Sequence, residues 1–206
     1  VALPRILDLF CCQGGAAMGY HMAGFDVCGV DLFDQPNYPF PLMVAEWDQV
    51  SFKGFDAVHA SPPCQGYSVT RHMSESTEPL LIPEVRERLE GSGLPYIIEN
   101  VRDAVWDMRS PVMLCGAPFG LKTYRHRYFE SNFDITPPAH PQHVVPTAKM
   151  GRPIPEGWFG SYVGHFAGVQ AAREDLGVPW MNRDGITECV PPAYTRLIGQ
   201  QLLEIL

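Results

Sequence analysis

The apolar run Ile6-Leu7-Asp8-Leu9-Phe10 passes without a linker into Cys11-Cys12-Gln13-Gly14-Gly15, and then into Ala16-Ala17-Met18-Gly19-Tyr20. This reads as a strand, a turn of small residues and a helix. Small residues let a backbone approach a ligand closely, and a helix N-terminus offers free N–H groups. Glycine also serves any tight turn, so the motif by itself leaves both readings open. The alternation continues along the chain. Strands are expected at about 5–9, 26–30, 55–60 and 95–99, and helices at about 15–23, 83–91 and 101–107. Val112-Met113-Leu114 and Arg127-Tyr128-Phe129 add later strands. This is the α/β pattern of a mostly parallel sheet with helices on both faces.

Four further segments carry chemistry. Val27-Cys28-Gly29-Val30-Asp31 is a second short strand ending in a carboxylate. Its distance from the glycine turn suits an acid that binds ribose hydroxyls. Asp56-Ala57-Val58-His59-Ala60 reads as a buried strand, followed by Ser61-Pro62-Pro63-Cys64-Gln65-Gly66-Tyr67-Ser68. A cysteine on a stiff loop past a strand end suits a covalent nucleophile; the competing reading is an inert, buried thiol. Tyr96-Ile97-Ile98-Glu99-Asn100-Val101 is another strand with an acid at its end, where the plain alternative is a solvated carboxylate. In Tyr124-Arg125-His126-Arg127-Tyr128-Phe129, arginines at alternate extended positions share a face. The plain alternative there is a solvated basic patch.

Taken in order, these pieces resemble the cytosine-5 DNA methyltransferase family. The resemblance covers about residues 4–129 and 187–206, ending in Val190-Pro191-Pro192-Ala193-Tyr194 before a C-terminal helix. It implies a Rossmann-like fold that uses S-adenosyl-L-methionine and acts on double-stranded DNA. Position by position, it implies Cys64 as nucleophile, Glu99 on the N3 and amino edge of cytosine, and Arg127 at O2 with Arg125 in support. Phe10, Gly14, Gly15, Asp31, Leu32, Asp48, Pro63 and Glu188 fall on the cofactor side. Phe10 would stack on adenine, Asp31 would bind the ribose, and Asp48 would accept from the adenine amino group. Two departures stand out: Cys12 occupies the usual first glycine of the turn, and Glu188 replaces an asparagine. The tRNA-methylating branch of the family shares these motifs but usually carries a Cys-Phe-Thr tripeptide, which does not occur here. A DNA-binding regulator without activity would have no need of Cys64, Glu99 and Arg127.

On this resemblance the chain divides into a catalytic and cofactor-binding domain, 1–130 with 188–206, and a short target-recognition region, 131–187. The latter is rich in proline, glycine and aromatics, and little periodic structure is expected in it. Its length suits a recognition sequence of about two to four base pairs, since each base contact needs a side chain on a rigid frame. Candidate readers are Lys149, Arg152, Gln170, Arg173, Asn182 and Arg183. A net charge of −8 rules out a strong nonspecific grip on nucleic acid, so DNA must meet a local basic surface. The polar loop over 66–79, with Ser68, Thr70, Arg71, His72, Ser74 and Ser76, is expected to close over the site. There is no run of 18 apolar residues and no signal pattern, so a cytoplasmic monomer with no membrane partner is expected. The six cysteines contain no C-x-x-C pair, which suits a reducing compartment. His140 and His143 have ligand-like spacing but lie in a proline-rich loop, and no metal is expected.

Overall fold

The structure is a computed structural model that describes residues 2–67 and 79–206. The loop expected to close over the site falls mostly at 68–78, outside the described residues. The strands are β1 (Arg5–Leu9), β2 (Asp26–Asp31), β3 (Leu42–Val44), β4 (Ala57–Ala60), β5 (Tyr96–Asn100), β6 (Val112–Leu114) and β7 (Arg127–Ser131). They form one sheet in the order β3-β2-β1-β4-β5-β7-β6. β1 to β5 are parallel, and β7 runs antiparallel between β5 and β6. The helices are α1 (Gly15–Ala23), α2 (Ile82–Ser92), α3 (Val169–Leu176), α4 (Arg183–Glu188) and α5 (Pro192–Leu202), with a 3-10 turn at Arg102–Asp107. β3 was not anticipated: three half-buried or exposed residues give too short a pattern to read. Among the described residues no helix is long and apolar enough to cross a membrane.

The period-2 alternation of the strands divides the core in two. Ile6, Val27, Ala57 and Ile97 face α1 and α5, packing on Tyr20, Tyr194 and Ile198. Their neighbours Leu7, Val58 and Ile98 face the other way, onto Val85 and Leu89 of α2. Strands buried on both faces read as near-continuous apolar runs, which is why they were legible. α2 is also tied to β7 by Arg86, whose guanidinium meets the buried carboxylate of Glu130, with Nη2 to Oε2 at 2.8 Å.

The region 131–187 is more ordered than its composition suggests. α3 and α4 lie within it, around a third apolar cluster of Tyr162, Phe166, Leu176, Val178, Met181 and Ile186. Short helices bounded by Gly168, Gly177 and Asn182 carry too few turns to show a period.

α1 and α5 pack closely because small residues face each other. A Cβ on Gly19 would lie 2.0 Å from Thr195 Oγ1 and 2.2 Å from the Pro192 carbonyl oxygen. The backbone cannot retreat there, since Thr195 Oγ1 also donates to the Ala16 carbonyl at 2.9 Å. Gly19→Ala is therefore expected to destabilise the fold by about 1–3 kcal/mol through overpacking. A thermal midpoint equal to wild type would mean that the two helices separate freely.

Candidate active site

The strand order reverses direction between β1 and β4, which opens a crevice at the C-terminal ends of the parallel strands. Phe10 follows β1, Asp31 ends β2, Cys64 lies on the loop after β4, and Glu99 sits near the end of β5. Arg127 begins the antiparallel β7 and so arrives at the same edge, with Glu99 opposite Phe129 in the ladder. Residues far apart in sequence thus collect at one rim of the sheet.

A cleft at this rim is lined by Asp8, Phe10, Cys12, Gly15, Ser61 and Glu188, among others. The turn that forms its floor is strained. Phe10 and Cys12 are non-glycine residues with φ of 60° and 47°, a region that costs L-residues roughly 1–2 kcal/mol each. Asp31 holds the turn in place: its Oδ2 accepts from the Cys12 amide at 2.9 Å and its Oδ1 from the Phe33 amide at 3.1 Å. The Cys12 thiol donates to Glu188 Oε2 at 3.0 Å. Glu188 therefore faces the cleft across from the cysteine that replaces the usual glycine, and the two departures from the family pattern touch each other.

The two glycines of the turn are needed for packing. Gly14 has φ +81° and lies under the Tyr38 ring; a Cβ on Gly15 would meet the Val190 carbonyl oxygen at 2.5 Å and Cys189 Sγ at 2.6 Å. Phe10 sits 5.9 Å from Trp47 between ring centroids, so two aromatics stand beside the cleft. Arg88 steadies Trp47 by donating to its carbonyl. Asp48, next in the chain, is exposed, as is Leu32, whereas Pro63 is half-buried.

Asp8 was not singled out from the sequence, where it reads as one polar residue inside a strand. It is 1 % exposed, and neither carboxylate oxygen has a hydrogen-bond partner among the described residues. The Ala17 amide approaches it without an aligned bond. Burial, and then repulsion from Asp31, push its carboxyl well above the usual range. A buried polar group of this kind on a cleft wall is a feature that a polar ligand would satisfy. Together with the pinned turn and the paired aromatics, it fits a ligand with both polar and aromatic parts.

On the other side of Ser61 lies the group of Cys64, Glu99 and Arg127. Arg127 Nε is 3.0 Å from Glu99 Oε1, both side chains nearly buried. The N–H does not point at the oxygen, so this is a charge contact without an aligned hydrogen bond, and Oε1 has no hydrogen-bond partner among the described residues. Burial raises the Glu99 carboxyl, opposed by Arg127, a Ser61 hydrogen bond and Arg125. Burial also raises the Cys64 thiol, with Glu99 adding to the effect and Arg127 opposing it. Burial thus biases both groups toward their protonated forms, with Arg127 pulling the other way. Asn100 fixes the loop that carries the thiol: its Nδ2 donates to the Pro62 carbonyl at 2.9 Å. Behind Ser61, His59 bridges Ser61 Oγ at 2.8 Å and Tyr20 Oη at 2.9 Å. Its burial lowers the imidazole to about 3, so it is neutral.

Arg125 does not share a face with Arg127. Its φ is 28°, which breaks the extended alternation assumed from the sequence. Its buried guanidinium donates to the carbonyls of Tyr162, Ile186, Thr187 and Cys189 at 2.8–2.9 Å. Burial lowers it to about 9, still above neutrality, so it remains a cation. These bonds make it an anchor for 162–189. Among the expected base readers, Asn182 caps α4 and bonds Gln13, and Arg173 Nε donates to the Met181 carbonyl at 2.6 Å. Gln170 is engaged with Glu174 along α3, while Lys149, Arg152 and Arg183 are exposed. Trp180 Nε1 also donates to the Gln13 carbonyl at 2.7 Å. Residues 180–189 thus form part of the cleft wall. The His140–His143 pair also differs from the plain loop expected, since both rings converge on Cys115 and His126.

The sheet order, with its antiparallel β7, is that of a Rossmann-like α/β fold, which the chain shares with solved structures of methyltransferases. Two solved structures align over nearly the whole chain. One is a putative DNA modification methyltransferase encoded within an Escherichia coli prophage, at 16% identity and a TM-score of 0.67, covering 98% of this chain and 99% of that one. The other is a methyltransferase of Entamoeba histolytica, at 11% identity and a TM-score of 0.62, covering 100% and 99%. No protein family profile and no curated protein sequence matches the chain.

Arg125→Ala is expected to lower stability by at least about 3 kcal/mol, because it leaves several buried carbonyls without a donor. Arg127→Ala is expected to lower stability by less than Arg125→Ala, because only the Glu99 contact and one bond to a carbonyl are lost. Thermal unfolding of the two variants separates the anchor from the site residue.

Proposed function

We propose that the protein is a DNA methyltransferase that modifies carbon 5 of cytosine through a covalent Cys64 adduct, with S-adenosyl-L-methionine as methyl donor. The observation that carries this reading is the meeting of Cys64, Glu99 and Arg127 beside the cleft at the β1–β4 crevice. The cleft would hold the donor. Asp31 would meet its ribose, Phe10 and Trp47 its adenine, and Asp8, the α1 N-terminus and Glu188 its amino acid and sulfonium end. When bound, the donor supplies an electrophilic methyl group.

The residues of the chain do the rest. Carbon 5 of cytosine is too weak a nucleophile to take a methyl group directly. The Cys64 thiolate adds to carbon 6, forming an S–C bond and moving an electron pair toward carbon 5 and N3. Glu99, whose carboxyl is pushed toward its protonated form by burial, gives a proton to N3 as that charge develops. Arg127 stabilises negative charge at O2. After methyl transfer, a base takes the carbon 5 proton, the freed electron pair restores the C5–C6 double bond as the S–C bond breaks and the thiolate leaves, and N3 returns its proton to Glu99. The target base must leave the helical stack to reach this rim, at a cost of a few kcal/mol. Lys149, Arg152 and Arg183 are the exposed cations of the 131–187 region, which suits a recognition sequence of about two to four base pairs.

The direct test is trapping with a 5-fluorocytosine oligonucleotide and donor, since fluorine at carbon 5 blocks the final elimination. A covalent adduct with duplex DNA is expected, absent in Cys64→Ala. Adduct formation with tRNA alone would assign the chain to the RNA-methylating branch, and no adduct with either would overturn the mechanism. Because the resting thiol lies above its ordinary value, the trapping rate is expected to rise with pH from neutrality into the alkaline range. Arg127→Ala removes the opposing cation and should move that rise to higher pH. A flat profile would mean that thiol deprotonation does not limit the reaction. Asp31→Ala is expected to weaken donor binding measured by calorimetry, through loss of the strap on the Cys12 turn; an unchanged affinity would place the donor elsewhere.

A further inference from the structure

We infer that Cys115, His126, His140 and His143 form a structural zinc site that fastens the proline-rich loop at 137–146 to the outer edge of the sheet. Their ligand atoms, one from each residue, all lie within 4.8 Å of one another. The Nε2 atoms of the three histidines form a triangle, with His126–His143 and His126–His140 at 3.4 Å and His140–His143 at 3.1 Å. Cys115 Sγ lies 3.5 Å from His143 Nε2.

Hydrogen bonds cannot account for that triangle. An imidazole nitrogen carries either one N–H or one lone pair, in the plane of the ring. Three such atoms cannot each be bonded to both of the others. A cation at the centre resolves this, because each nitrogen then turns its lone pair inward. The two 3.4 Å edges and the 3.5 Å sulfur–nitrogen edge have the right length, and the His140–His143 edge of 3.1 Å is a little short. For a tetrahedral ion with metal–nitrogen distances of about 2.0–2.1 Å and a metal–sulfur distance of about 2.3 Å, the N–N edges come to about 3.3–3.4 Å and the S–N edges to about 3.5–3.6 Å.

The fold prepares two of the ligands before the loop arrives. β6 and β7 pair with Leu114 opposite Arg127, so one step further along places Cys115 opposite His126. The connection between them is closed by the Gly116 amide on the Tyr124 carbonyl at 2.8 Å. His140 and His143 come from Pro137-Pro138-Ala139-His140-Pro141-Gln142-His143, a stiff segment. Tyr124 orients the incoming loop: its ring stacks on His143 at 3.6 Å, and its hydroxyl bonds both the amide and the carbonyl of Val145. Support of a ligand ring by a neighbouring group is typical of metal sites.

Three imidazoles with one thiolate suit zinc, and four protein ligands leave no open position, so the role is structural. Neither the proline-rich setting of His140 and His143 nor the absence of C-x-x-C pairs is decisive here. The spacing C-x10-H-x13-H-x2-H is assembled across a strand pair. The clip also fixes His126, whose carbonyl accepts from Arg127 Nη1 at 3.0 Å. The inference does not depend on the proposed reaction, and its readouts are not enzymatic.

The test is metal analysis of the full chain purified without added metal or chelator, followed by removal of metal and titration with cobalt chloride. About one zinc per chain is expected. Cobalt should give the ligand-field bands of a tetrahedral ion and a thiolate-to-cobalt charge-transfer band. Cys115→Ser should lose the charge-transfer band, and His140→Gln, an exposed ligand whose replacement leaves the core untouched, should weaken cobalt binding at least tenfold. Stripping the metal should lower the thermal midpoint by about 5 °C or more, reversed by zinc. Another divalent ion bound at one per chain and lost in Cys115→Ser would keep the site and correct the metal. Folded protein with no stoichiometric metal and no cobalt bands, or bands that Cys115→Ser leaves unchanged, would overturn the inference.

Discussion

The buried guanidinium of Arg125 is the contact on which the rest of this molecule turns. It enters from the segment before β7 and gathers the carbonyls of Tyr162, Ile186, Thr187 and Cys189. Tyr194 of α5 closes the same knot by donating its hydroxyl to the Arg125 carbonyl at 2.9 Å. A planar cation with five donors suits a place where several helix-end and loop carbonyls converge. Through this one side chain the sheet, the third apolar cluster and the last helix become a single frame. The strained φ of 28° at Arg125 is the local cost of aiming the side chain inward, away from the rim where Arg127 points.

Electrostatics at the rim follow from how little water reaches it. Asp8, Glu99 and Cys64 are all pushed toward their protonated forms, burial being the first cause in each case. Arg127 is the cation that opposes this at Glu99 and Cys64. A substrate that changes the balance between burial and this cation would shift both groups together. That arrangement suits a reaction in which the thiol must attack and the carboxyl must give up its proton in the same step.

The turn after β1 shows how two unusual residues can compensate for each other. Cys12 occupies a left-handed position usually left to glycine, and its amide and thiol are both engaged, by Asp31 and Glu188. Those two contacts offset the backbone strain that a side chain brings there. The wall opposite is built by 180–189, where Trp180 and Asn182 reach back to Gln13. The stretch between the catalytic motifs therefore completes the cleft as well as covering the sheet, and fewer of its side chains are left for reading a substrate than its length suggests.

The sequence by itself determined the parallel strands and their helices, because strands buried on both faces are written as unbroken apolar runs such as Ile6–Leu9 and Tyr96–Ile98. It also marked out Cys64, Asp31 and Glu99 at strand ends, since a cysteine between prolines and a glycine, or an acid closing an apolar run, is a local pattern. It did not determine what those side chains touch. Arg125 and Arg127 look equivalent two residues apart, and a single positive φ sends one to the core and the other to Glu99. Asp8 looks like any polar residue in a strand until β2 and α1 close over it. Cys115, His126, His140 and His143 carry no motif, because their meeting depends on the register of β6 with β7 and on the Tyr124–Val145 contact. Those decisions belong to the tertiary structure: they rest on contacts between segments distant in the chain, and a local pattern holds no record of them.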